Sequence, residues 1–197
     1  MKGRPRWRRL RLPLAALVLI AFGVAVARHA GYRLNLSPSE PVGVWRVRAG
    51  KAPAVGDDAY FCPPVAPMRY PFLFKGGCPG GSMPFLKQLA AGPGARIRET
   101  DVGVWIDGKP LPASRPQPES LGSDPVRLPH WHGSVRLQAG QFWAYGAGDP
   151  AQSFDSRYWG PLPAARIEGI ARPVWTVSWP GETKVPRNTI HDMEQPR

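Results

Sequence analysis

Asn35-Leu36-Ser37-Pro38-Ser39-Glu40-Pro41-Val42-Gly43, continuing into Val44-Trp45-Arg46-Val47-Arg48, places a serine between two prolines at the head of an alternating run. Proline fixes its own φ and pushes the residue before it towards extended backbone, while Gly43 relieves the crowding that follows. Val42 to Arg48 alternates as a strand does. The expectation is a stiff loop that holds the Ser39 hydroxyl in the open rather than buried in regular structure. The loop follows soon after a basic, apolar N-terminal segment. A nucleophile there would meet chains emerging from a bilayer, which is the geometry of a peptidase.

That N-terminal segment explains most of the charge. The 197 residues carry 26 basic and 14 acidic side chains, a formal +12. Lys2, Arg4, Arg6, Arg8, Arg9, Arg11 and Arg28 contribute seven positive charges with no acid among them. Without them, 19 basic residues face 14 acidic ones, or +5, with no dense basic stripe. The asymmetry is therefore a topology signal, and it argues against a nucleic-acid partner. Leu12 to Ala27 is apolar and uncharged. As a helix it would rise roughly 24 Å, a little short of a hydrocarbon core of about 30 Å, with Arg11 and Arg28 able to snorkel. Ala25-Val26-Ala27 also satisfies the pattern of a cleaved signal peptide. The retained anchor is the preferred reading. Under either, the N-terminus stays cytoplasmic and the rest is exported.

Beyond the anchor, 25 Pro and 22 Gly punctuate the chain too heavily for a helical bundle. Short strands are expected at Val42–Arg48, Asp58–Phe61, Ala95–Glu99, Val102–Ile106, Val135–Leu137 and Phe142–Tyr145, with one or two more from Ile167 to Trp179. Asp107-Gly108 reads as a hairpin turn. Ala113 to Pro129, rich in Pro and Ser, reads as a surface insertion. The fold class is all-β or β-dominated α+β. The divisions are residues 1–28 as basic N-terminus and anchor, 29–180 as exported domain and 181–197 as a flexible tail.

Cys62 and Cys78 are the only cysteines. In an oxidising compartment a bridge between them would contribute about 3 kcal/mol by restricting the unfolded chain. No metal or other cofactor is expected. His130 and His132 flank Trp131 with metal-like spacing but no convincing further ligand in the sequence, and they read as a loop or surface-strand pair. A Ser-His-Asp triad built on them is the competing chemistry.

Lys87 stands out because the chain uses 20 Arg but only 6 Lys, and this one lies in Met83-Pro84-Phe85-Leu86-Lys87-Gln88-Leu89-Ala90-Ala91. A lysine enclosed by apolar groups loses the solvation of its charged form and can serve as a general base; arginine cannot. In Gln152-Ser153-Phe154-Asp155-Ser156-Arg157-Tyr158-Trp159-Gly160-Pro161, the residues Ser153, Asp155 and Arg157 alternate. A strand-like backbone would project them to one side, a serine to orient a lysine and an acid–base pair to support it.

Taken in order, Ser39-x-Pro-x-Gly, then Phe85-Leu86-Lys87 with Gly92-Pro93-Gly94-Ala95-Arg96-Ile97, then Ser153-x-Asp-Ser-Arg-Tyr-x-Gly, resemble the S26 signal peptidase family. Asn35, the Ser-x-Pro-x-Gly sequence and the lack of a Met after Ser39 are similar to its conjugative-transfer, TraF-type branch. Gly148-Asp149-Pro150-Ala151-Gln152 departs from the Gly-Asp-Asn segment of the general secretory enzymes. The resemblance implies a signal-peptidase-like external domain behind one transmembrane helix. It implies Ser39 as nucleophile, Lys87 as general base and Ser37 as an oxyanion contributor beside the Ser39 backbone N–H. Ser153 would orient the lysine, and Asp155 with Arg157 would support the site, the aspartate taking a catalytic part.

The implied enzyme is a Ser–Lys serine endopeptidase of the bacterial inner membrane, single-pass, with its catalytic domain in the periplasm. Its partner would be an exported precursor polypeptide, a conjugative pilin, processed by hydrolysis or by cyclisation. Two alternatives stand beside it. A general type I signal peptidase would cleave many preproteins, and a non-catalytic exported subunit of a conjugation apparatus would tolerate loss of Ser39 and Lys87.

Overall fold

A computed structural model describes residues 7–64, 70–121 and 124–177. Its helix α1 spans Trp7–His29, followed by strands β1 (Tyr32–Asn35), β2 (Val42–Arg48), β3 (Asp58–Phe61), β4 (Phe85–Ala91), β5 (Arg96–Thr100) and β6 (Gly103–Ile106). Then come β7 (Lys109–Pro110), β8 (Gly133–Arg136), β9 (Gln141–Tyr145), the single-turn helix α2 (Ser156–Trp159), β10 (Leu162–Pro163) and β11 (Ile167–Val177). The β-dominated class expected from the Pro and Gly punctuation is what the chain adopts. The expected tail from 181 lies outside the described residues.

Helix α1 extends the apolar run at both ends, to 23 residues or about 35 Å, enough to cross a bilayer. From Leu12 to His29 none of it is buried against the rest of the protein. Only Ala30 and Gly31 separate it from β1. Gly31 has φ +89°, and a Cβ there would lie 2.3 Å from the Val47 carbonyl oxygen, so the turn needs glycine. Val47 N–H donates to Gly31 C=O at 2.9 Å and locks that turn onto β2.

The strands form two sheets, one of seven in the order β1-β2-β11-β3-β4-β9-β10 and one of four in the order β7-β6-β5-β8. All pairs are antiparallel. Gly43, at φ +145°, lets β11 approach β2: a Cβ would sit 2.2 Å from the Trp175 carbonyl oxygen. Asp107 (φ 50°) and Gly108 (φ 83°) make the expected two-residue turn between β6 and β7.

The core lies where the sheets meet. Ile97, Val104 and Ile106 from the small sheet pack with Leu111, Leu137, Trp143 and Tyr145. A second cluster, Ala59, Phe61, Leu89, Phe142, Ala144 and Leu162, covers the other side of β4 and β9. Strand β4 is thus apolar on both faces, so its one lysine is enclosed by the packing of the strand that carries it. Cys62 and Cys78 form a disulfide that closes the loop between β3 and β4.

Two expectations need correction. Ser153, Asp155 and Arg157 do not lie on one strand: Asp155 is the N-cap of α2, its side chain accepting from Arg157 N–H. The segment 113–129 is not all surface. Ser114 is buried, Arg115 C=O accepts from Arg157 Nη1 at 3.3 Å, and Gln117 N–H donates to the Tyr158 hydroxyl at 3.0 Å.

Candidate active site

Residues 36–41 link β1 to β2 and carry Ser39. Asn35 shapes this link: its Oδ1 accepts from Ser37 N–H at 3.1 Å, and its Nδ2 donates to the carbonyls of Ser37 and Glu40, both at 2.9 Å. The prolines stiffen the link as expected, but Ser39 is not in the open. It is 1% exposed. The cause is its neighbour Glu40, equally buried, whose Oε1 accepts from Gln88 N–H on β4 at 3.1 Å and from Ala147 N–H just after β9 at 3.2 Å. Gly148 N–H donates to Ser39 C=O at 3.0 Å. These three bonds draw the loop over the middle of β4 and the C-terminal end of β9.

On β4, Lys87 Nζ is hydrogen-bonded to Ser39 Oγ. Ser39 Oγ also lies 2.9 Å from Ser37 Oγ. Burial pushes the Lys87 ammonium down to about 8, against the opposing pull of the Asp155 and Glu40 carboxylates. A hydroxyl and an amine poised near neutrality therefore share one hydrogen bond.

Behind them stands a buried ion pair. Asp155 Oδ1 accepts from Arg157 Nε at 2.8 Å, Oδ2 accepts from Nη2 at 2.9 Å, and both residues are fully buried. Arg157 Nη2 also donates to the carbonyls of Pro150 and Ser153, at 2.7 and 3.1 Å. Burial pushes the Asp155 carboxyl upward, but the Arg157 charge and hydrogen bonds outweigh it and hold the group below its ordinary value. Asp155 Oδ2 further accepts from Gly146 N–H at 3.0 Å and from Ser153 Oγ–H at 2.7 Å. The Ser153 hydroxyl proton is thus directed at Asp155, not at the lysine.

Gly146 was not singled out in the sequence. A Cβ there would lie 2.0 Å from Ser153 Oγ and 3.2 Å from Ser39 Cβ, so only glycine fits between the two serines. Glu40 was missed as well; its sequence position, next to Ser39 and before Pro41, carries no mark of the bonds it makes across the sheet. Asp149 caps the turn Pro150–Gln152 by accepting from Ala151 and Gln152 N–H, a local structural task.

A cavity of about 460 Å³ opens onto Ser39 and Lys87. Leu34, Leu36, Phe72, Phe74, Met83, Phe85 and Phe154 give it apolar walls, and Leu121 and Leu128 bring residues of the 113–129 segment to it. It is large enough for several side chains of an extended peptide, and its apolar lining favours small or apolar ones.

His130 and His132 lie apart from this constellation. His130 Nε2 is 3.0 Å from Glu99 Oε1, on the small sheet. Burial pushes the Glu99 carboxyl up to about 9, so it keeps its proton near neutrality. Burial and the neighbouring His132 lower His130, which holds that ring neutral there. No hydrogen bond joins either ring to Ser39 among the described residues.

The sequence profile of the family described as "Signal peptidase, peptidase S26" matches residues 5–176. A protein described as "Probable conjugal transfer protein TraF" from Sinorhizobium fredii (strain NBRC 101917 / NGR234) is 38% identical over 190 residues, 88% of this chain and 93% of that one. "Conjugal transfer protein TraF" of Agrobacterium tumefaciens (strain 15955) is 40% identical over 167 residues, covering 82% of this chain and 92% of its own. Among solved structures, a signal peptidase I from Enterococcus faecalis V583 aligns with 61% of this chain and 97% of its own, at 19% identity and a TM-score of 0.35. The profile match and the extent of the likeness to the TraF proteins establish that this chain belongs to the S26 signal peptidase family, on its TraF-type branch.

Proposed function

We propose that the protein is a membrane-anchored serine endopeptidase of bacterial conjugation that processes an exported precursor, a conjugative pilin. The observation that carries this is the hydrogen bond between Lys87 Nζ and Ser39 Oγ inside an apolar enclosure that lowers the lysine. Neutral Lys87 takes the hydroxyl proton of Ser39 as Oγ bonds to the scissile carbonyl carbon. The negative charge moves to the carbonyl oxygen, where Ser37 Oγ–H and the Ser39 backbone N–H stabilise it, an effect commonly worth several kcal/mol. Collapse breaks the C–N bond, the Lys87 ammonium protonates the leaving amine, and an acyl-enzyme remains on Ser39. Water, or the N-terminal amine of the same substrate, then displaces Ser39, and Oγ recovers its proton through Lys87.

Asp155 and Arg157 act by holding Ser153 and the Gly146 backbone beneath the two reacting groups, and the Asp155 charge pulls Lys87 upward against the larger lowering by burial. The basic residues ahead of α1, the unburied apolar helix and the disulfide favour an inner-membrane anchor with a cytoplasmic N-terminus and a periplasmic domain. The test incubates the full chain in detergent with candidate pilin precursors and with unrelated preproteins, reading products by mass. One cleaved pilin precursor is expected, and Ser39→Ala and Lys87→Arg should both abolish it. Hydrolysed and cyclised products differ by one water. Broad cleavage of preproteins would point to general secretion instead, and full activity in Lys87→Arg would end the Ser–Lys mechanism.

A further inference from the structure

We infer that Asp101, His130 and His132 form a surface site for a divalent transition metal of the zinc class, which clips the end of the 113–129 segment to the small sheet. Strand register dictates the juxtaposition. Strand β5 pairs with β8 with Glu99 opposite Gly133. In an antiparallel pair this sets Asp101, just past the end of β5, against the residues that lead into β8. Along His130-Trp131-His132 the side chains alternate. Trp131 turns inward, 5.4 Å from the Trp143 ring, and its indole lies where a Cβ on Gly160 would come within 2.8 Å of it. The two histidines are left on the other side, their ring centroids 3.7 Å apart.

There Asp101 Oδ1 lies 3.5 Å from His130 Nδ1 and 3.7 Å from His132 Nε2. Donors at about 2.05 Å from a tetrahedral zinc stand about 3.3 Å apart, so the two Asp101 distances need to close by only a few tenths of an ångström, and all three donor atoms already lie within 4.8 Å of one another. The Asp101 side chain is 85% exposed and free to make that adjustment. Two imidazoles and one carboxylate leave a fourth position for water, a donor set that suits zinc.

A second feature supports the first three. His130 uses its other nitrogen, Nε2, on Glu99 Oε1 at 3.0 Å, and Glu99 is fully buried. This contact fixes the ring so that Nδ1 faces Asp101. With a cation on Nδ1, the ring N–H sits on Nε2 and donates to Glu99 Oε1. That is the carboxylate–histidine–metal arrangement, in which an outer carboxylate orients the ligand. Glu99 Oε2 has no hydrogen-bond partner among the described residues.

The clip has a defined reach. Trp131 N–H donates to Arg157 C=O at 3.0 Å, and Leu128, two residues before His130, lines the cavity beside Ser39. A bound cation therefore fastens one wall of that cavity. The site does not depend on the Ser–Lys chemistry.

The test uses the full chain in detergent, carrying no polyhistidine tag, titrated calorimetrically with Zn²⁺ and spectroscopically with Co²⁺. One ion per chain is expected, with visible cobalt bands of a four- or five-coordinate centre. Zinc at a hundredfold excess over its Kd should raise the melting temperature by at least about 5 °C. Asp101→Asn and His132→Asn, both at exposed side chains, should each weaken binding at least about tenfold and remove the thermal shift, with circular dichroism unchanged. His29→Asn should bind as the parent does. Trypsin cleavage after Arg127 should slow with zinc in the parent only. Absence of saturable binding, or affinity untouched by both Asp101→Asn and His132→Asn, overturns the assignment.

Discussion

The pH dependence of processing is the sharpest consequence of the Lys87 environment. Burial brings this amine from an ordinary 10.5 down to about 8. At pH 7 about one molecule in ten then carries the neutral base, and at pH 9 about nine in ten do. An unshifted lysine would be neutral in only about one molecule in 3,000 at pH 7 and in a few per cent at pH 9. If the free amine takes the Ser39 proton, kcat/KM should climb roughly tenfold between pH 7 and 9 and then level. With an unshifted amine it would keep rising about tenfold per pH unit beyond 9. The assay is single-turnover cleavage of a fluorogenic precursor peptide across pH 6 to 10, with the fold monitored in parallel. Glu40→Gln sharpens it. The amide oxygen can still accept from Gln88 and Ala147 N–H, but a carboxylate that raises Lys87 is gone, so the rising limb should move to lower pH. A flat profile between 7 and 9, or a continuous rise with no plateau, would refute the reasoning. So would a limb unmoved by Glu40→Gln.

The same group makes a stability prediction. Its folded value lies below its unfolded one, so between about 8 and 10.5 the unfolded chain binds more protons and stability rises with pH. Below 8 the buried charge costs on the order of 3 kcal/mol, so Lys87→Met should melt several degrees higher than the parent at pH 7 while losing all processing. A lower melting temperature would contradict this. Gly146→Ala should cut kcat/KM by about a hundredfold with the fold retained, because its methyl displaces Ser153 and Ser39; unchanged kinetics would show that the gap accommodates it. Reducing Cys62–Cys78, which closes a separation of 16 residues, should destabilise the domain by about 3 kcal/mol. Thermal scans with and without reductant check it, and identical midpoints would refute it. Arg157→Met leaves Asp155 charged and buried, so a loss of about 3–5 kcal/mol is expected by denaturant titration; near-parental stability would mean that water reaches the carboxylate.

What could be read from the chain alone was what local chemistry marks. Ser39 announces itself through its two prolines, and Lys87 through its place in an apolar run of a chain that otherwise prefers arginine. The strand from Val42 to Arg48 and the Asp107-Gly108 turn follow from alternation and from backbone conformations that few residues adopt. The contacts that bury Ser39 are of another kind. Glu40 reaches Ala147 across 107 positions, and Gly146 is required only because two serines from distant segments converge on it. The placing of Asp155 at a helix start was hidden for a different reason: alternation of Ser153, Asp155 and Arg157 fits a strand, yet the Asp155 side chain caps α2 by accepting from the Arg157 N–H in its first turn. Asp101 joined His130 and His132 through strand register, which no spacing within the loop encodes.

The two-residue turn at Ala30 and Gly31 leaves no slack between helix α1 and the sheet. Ser39 lies ten positions beyond His29, at most about 35 Å of fully stretched chain, and the clasp of Gly31 on Val47 takes up part of that. With α1 as the proposed anchor and Ser39 as the proposed nucleophile, the serine would work at a set altitude above the bilayer, like a blade on a fixed post. Peptide bonds at that level would be within its stroke, and bonds farther out would pass uncut whatever their side chains.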